Sequence, residues 1–123
     1  MRDWINEWLL LTREGTHNEN VLVQQVRPPL TLIDKEYDAK YILSVQASVF
    51  HWCFPKENNA DEYSAVEVGI MKLPVPPELV DFVDTFELTN VAVDPDTVIP
   101  LVLGHIPVTK LNRLIERCGG INQ

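Results

Sequence analysis

The segment SVQASVFHWCFP, residues 44–55, sets His51 and Cys53 two positions apart, beside Ser44, Ser48 and three aromatic residues. An imidazole close to a thiol can draw off its proton, and the resulting thiolate is a nucleophile. In an extended chain, residues i and i+2 project to the same side, roughly 6–7 Å apart. Cys53 with His51 as its base would suit a thiol-dependent hydrolysis or group transfer. That chemistry also requires a group to orient the base and donors for the developing oxyanion. Gln46 and Ser48 are the nearest candidates, and alternation sends both to the opposite face. A core strand produces the same spacing, with Cys53 as a small buried hydrophobe and His51 as a satisfied core histidine. The core reading is preferred, so no catalytic residue is favoured.

The other reactive groups are weaker candidates. His17, His51, His105, Cys53 and Cys118 are the soft metal ligands. They lack the paired spacing of a structural zinc site, so neither metal nor cofactor is expected. Asp81, Asp84 and Glu87 recur every three residues along an expected helix and form an acidic outer face. Asp94-Pro95-Asp96 lacks the glycine and closing glutamate of a calcium loop. Trp4 and Trp8, four apart on an expected helix, belong to a core, or to a partner or dimer contact if that helix is loosely attached. These two tryptophans and the three helix carboxylates are the candidate binding residues. No GxGxxG, P-loop, GxSxG or HExxH pattern occurs.

Composition narrows the function classes. The chain has 123 residues, 46% of them hydrophobic, which suits one ordinary domain with its own core. Eighteen acidic residues against ten basic ones give a net charge of −8. Direct nucleic-acid binding draws on many cationic contacts to phosphate and is disfavoured. An acidic surface fits a basic protein partner better, or an inhibitor that imitates nucleic acid. No run approaches the ~18 apolar residues of a membrane span, and the N-terminus carries charges among its apolar residues. The expectation is a cytoplasmic protein with two reduced cysteines.

The elements that position these groups follow from periodicity. Residues 3–13 read as a helix capped by Asp3 and stopped by Arg13 and Gly15. Residues 20–26 and 30–33 read as extended. The clearest strand covers 40–53, with Tyr41, Leu43, Val45, Ala47 and Val49 facing the core. A polar loop, 54–63, leads to a strand over 64–71 with Val66, Val68 and Ile70 on one face, which pairs with the 40–53 strand as an antiparallel hairpin. Residues 77–86 read as a helix with Pro77 in its first turn and Leu79, Phe82, Val83 and Phe86 as its stripe. Residues 97–103 suit an edge strand, because Pro100 would break a central one. Residues 107–118 read as a helix closed by Gly119-Gly120, with Ile121 folding back. Together these predict a single α+β domain: a mainly antiparallel sheet of about four to five strands with N-terminal, middle and C-terminal helices packed on it.

The run SVQASVFHWCFP, the later YSAVEVG and the closing IPVTKLNRLIERCGGI resemble a pattern in small uncharacterised proteins of enteric bacteria and their prophages. The resemblance covers 41–71 and 106–121. It implies no activity and no catalytic residue, and it favours a small accessory protein that acts by binding. The resulting expectation is a non-enzymatic module that binds another protein or a second copy of itself. Its surfaces would be the 54–63 loop, the acidic helix and the exposed part of the first helix.

Overall fold

The computed structural model describes residues 2–12, 27–83 and 101–122. Among them, helix α1 spans Trp4–Leu11 and strand β1 spans Leu30–Asp34. Strands β2 (Ala39–Gln46) and β3 (Ala65–Ile70) follow, then a 3₁₀ helix at Pro77–Phe82, strand β4 (Leu101–Pro107) and helix α2 (Val108–Arg117). The four strands form one antiparallel sheet in the order β1-β2-β3-β4. The expected α+β architecture is therefore present. The extended segment expected at 20–26 lies outside the described residues.

Alternation decides which face of the sheet is covered. Leu32, Leu43, Val45, Val66 and Val68 are buried, and they meet Ile5 and Leu9 of α1 and Leu111, Leu114 and Ile115 of α2 in one core. Register keeps this face in line, since Leu43 lies opposite Ile70 and Val45 opposite Val68. A slip by one residue would turn the whole apolar set to the other side.

Local signals account for the helix ends. The Asp3 side chain accepts the Asn6 amide at 3.2 Å and so caps α1. At the end of α2, Gly119 and Gly120 take φ of +82° and +107°. Their amides donate to the Glu116 and Ile115 carbonyls, the two bonds of a Schellman closure, and Ile121 returns to the core. Helix α1 is firmly attached. Its Ile5 amide donates to Asn112 Oδ1 at 3.0 Å, and Asn6 bonds both backbone groups of Tyr63. Among the described residues, no helix is long and apolar enough to cross a membrane.

Three expected elements differ. The strand expected over 40–53 ends at Gln46, for reasons that belong to the site below. The middle helix is a short 3₁₀ turn, and Val83 is already extended at φ −94°, ψ 130°. Of its stripe within the described residues only Leu79 is fully buried. A short helix with so little packing has nothing to offset its costly nucleation. The edge strand runs to Pro107 rather than ending at 103, and its part before Leu101 lies outside the described residues.

One ionic cluster ties the end of α2 to the β1–β2 turn. Arg117 Nη1 is 2.8 Å from Asp34 Oδ1, and its Nη2 is 2.8 Å from Glu78 Oε1. Asp34 also accepts the Tyr41 hydroxyl at 2.5 Å and the amides of Glu36 and Tyr37. Burial opposes the Asp34 charge, yet hydrogen bonds from Tyr41, Arg117 and the Tyr37 amide outweigh it and hold the carboxyl below its ordinary 3.8. Tyr41 is pushed up to about 12, first by burial and then by its bond to Asp34. Burial first, then the nearby Asp34 charge, lifts Cys118 from 9.0 to about 11.

The pH dependence of stability follows. The Asp34 contribution is complete above 3.8, where the unfolded carboxyl is ionised, and fades as pH falls below that value. The Cys118 and Tyr41 contributions are complete below 9.0 and 10.0 and are lost as pH rises toward about 11 and 12. Urea midpoints across pH should therefore fall at both ends. A flat profile from pH 9.0 to 12 would contradict the placement of Tyr41 in the core and of half-buried Cys118 against it.

Candidate functional site

The site is a loop that leaves the sheet after Gln46 and returns at Phe54. Ser48 is the reason it leaves. Its Oγ accepts the Phe50 amide at 3.0 Å, and its carbonyl accepts the His51 amide at 3.2 Å. A serine that offers the backbone such local partners competes with the ladder hydrogen bonds of a strand. Phe54 then rejoins β3, bridging to Ala65 through its amide and carbonyl.

His51 and Cys53 are both buried, at 2% exposure each, as the core reading expects, but the covering expected over 51–54 does not extend to Trp52 and Phe54. The turn brings Ser48 to them, where alternation in a strand would have sent it away. Ser48 Oγ lies 2.6 Å from His51 Nδ1, and Cys53 Sγ donates to the Ser48 carbonyl at 3.2 Å. Burial pulls the His51 pKa down despite the Glu67 charge, so the ring stays neutral. Burial likewise pushes the Cys53 thiol up, against the opposing bond to Ser48. A protonated, covered thiol that donates to carbonyls is a structural group, not a nucleophile. A mild disulfide reagent at neutral pH should modify Cys53 only as fast as the protein unfolds. Immediate modification in the native state would contradict this placement.

The alternation that turns His51 and Cys53 inward turns Phe50, Trp52 and Phe54 outward. They are 46%, 55% and 65% exposed, and Val49 beside them is also exposed rather than in the core. This inverts the usual sorting of side chains, with aromatics in water and reactive polar groups beneath. The three aromatics are therefore candidate contact residues that the sequence candidates do not include, although the alternation of the segment places them opposite His51 and Cys53.

The outward aromatics are held, not draped. The Val49 amide donates to Asn58 Oδ1 at 3.2 Å. The Trp52 amide donates to Glu67 Oε2 on β3 at 3.0 Å, and its carbonyl accepts the His105 amide on β4 at 2.9 Å. The Cys53 amide reaches back to the His51 carbonyl and closes a tight turn around Trp52. The His105 amide is free for this because β4 bulges there. Val66 pairs with Ile106 and Val68 with Leu103, which leaves Gly104 and His105 opposite Glu67. Gly104 forms the floor. A Cβ on it would stand 2.7 Å from Trp52 Cε3 and 3.0 Å from Trp52 Cβ.

The other candidates are dispersed. Trp8 is buried in the core, and Trp4 is half-buried, its Nε1 donating to Glu116 Oε2 at 2.7 Å. Both serve attachment of α1. Asp81 is exposed on the 3₁₀ turn, while Asp84, Glu87 and His17 lie outside the described residues. The 54–63 loop is largely exposed, although Tyr63 is buried. Cys53 and Cys118 are free thiols, and no cluster of three metal-ligating side chains occurs among the described residues. In comparisons with known proteins, no family model matches the chain, and neither a curated protein nor a solved structure matches it.

Proposed function

We propose that this is a small acidic cytoplasmic protein that works without catalysis, by binding another protein through Phe50, Trp52 and Phe54. The observation that carries the reading is three exposed aromatic side chains on a loop whose backbone is bonded at nearly every residue. Aromatic anchors dominate binding energy at protein interfaces. Holding them in place before binding lowers the ordering cost of association. Singly exposed apolar residues need no explanation, but here four of six consecutive positions, 49–54, are exposed and apolar. The cysteine–histidine pair supports that loop from beneath, and a buried neutral pair favours support over an enzymatic role.

The test compares proteins that co-purify from source cells with the wild type and with the triple variant Phe50→Ser, Trp52→Ser, Phe54→Ser. Leu11→Ser, at an exposed site on α1, serves as control. A partner should be retained by the wild type and the control and lost by the triple variant. Titration with that partner should show at least a roughly tenfold weaker affinity for Trp52→Ser alone, the size of one hot-spot contact. If the triple variant retains the same proteins, the reading is wrong.

A further inference from the structure

The chemistry around the aromatic loop narrows its partner. The charged groups that act on the inner side of the loop are Lys56, Glu67 and buried Arg27, whose Nη1 donates to the Ala47 carbonyl at 2.9 Å at the loop's base. Glu67 is half-buried directly under the loop, where its Oε2 accepts the Trp52 amide. Elsewhere this protein covers aromatic rings with its own guanidinium groups. Arg2 stands 3.9 Å from the Trp4 ring centroid, and Arg117 stands 5.3 Å from that of Tyr37. Among the described residues no cation covers Trp52, although its ring is half exposed and a carboxylate lies beside its backbone. A cation over an indole gains from the ring quadrupole, and a nearby carboxylate adds to that gain.

We propose that the surface takes a protein segment that carries arginine or lysine beside apolar side chains, with one cation over Trp52 and directed toward Glu67. This rests on the reading above that the loop docks a protein. The apolar side chains meet Phe50 and Phe54, while the net charge of −8 speeds encounter and rejects acidic segments. An acidic or nucleic-acid partner would meet repulsion from the net charge of −8.

The probe is a random dodecapeptide library displayed on phage, selected against the full chain at low salt. Binders are then measured against Trp52→Ser, Phe54→Ser and Glu67→Gln, each first shown to melt like the wild type. Glutamine at 67 keeps an oxygen for the Trp52 amide and removes only the charge. The expected binders are net positive, lose roughly tenfold or more with Trp52→Ser, and weaken several-fold with Glu67→Gln. They should also weaken as salt rises, because exposed charges are screened. Binders that need Trp52 and Phe54 but are neutral or acidic overturn the partner chemistry and leave the docking surface standing. Binders indifferent to both aromatics, or no enrichment at all, overturn the surface as well.

Discussion

Replacing Arg117 with alanine should destabilise the protein by about 3 kcal/mol, because it strands a buried carboxylate. The Asp34 side chain is 1% exposed, and Arg117 is its cationic partner among the described residues. Tyr41 and two amides would still bond Asp34, but none carries a charge to offset it. The other partners of Arg117 matter less. Glu36 is 62% exposed, so Glu36→Gln should change stability by no more than about 0.5 kcal/mol. Glu78→Gln should fall between the two. In a domain of this size, 3 kcal/mol lowers the melting temperature by roughly 10 °C or more. Chemical denaturation of the three variants would decide the ranking. A loss below about 1 kcal/mol for Arg117→Ala would mean that Asp34 is not buried as described.

Gly104→Ala should displace Trp52, because the added methyl would stand 2.7 Å from Cε3 and 3.0 Å from Cβ of that residue. The indole end could swing away cheaply. The Cβ cannot, because the Trp52 backbone is bonded on both sides, to Glu67 and to His105. Relief therefore moves the Trp52 backbone by a few tenths of an ångström against those bonds, at a cost of about 1–3 kcal/mol by the usual scale of overpacking. The loop then loses the arrangement on which the proposed binding depends. The expected result is a shifted Trp52 indole signal in the nuclear magnetic resonance spectrum, weakened protection of the His105 amide, and partner affinity reduced as in Trp52→Ser. An unchanged indole signal in Gly104→Ala would contradict the contact.

How far the sequence anticipates this depends on how local each determinant is. The Asp3 cap, the β3 alternation of Val66, Val68 and Ile70, and the Gly119-Gly120 closure are short-range signals, and each appears as expected. The end of β2 is harder. Residues 47–53 continue a strand pattern, but the bonds that Ser48 makes to Phe50 and His51, with those of Val49 to Asn58 and Trp52 to Glu67, hold the chain away from the sheet. Apolar spacing alone also suggested a longer middle helix, but Phe82 is exposed and packing does not support it. The pairing of Arg117 with Asp34 joins residues 83 positions apart and has no local trace. The same is true of Gly104 beneath Trp52. The outward aromatics were implied once His51 and Cys53 were placed inside, whereas the floor and clamps that fix them require the folded sheet.

The most direct measurement of the central claim places a photo-crosslinking amino acid at position 52 and, separately, at exposed Lys35 in the β1–β2 turn. Irradiation of intact source cells should give a defined protein adduct from position 52 and none from position 35. No adduct at 52, or the same adducts from both positions, would contradict the claim that Phe50, Trp52 and Phe54 form the binding surface.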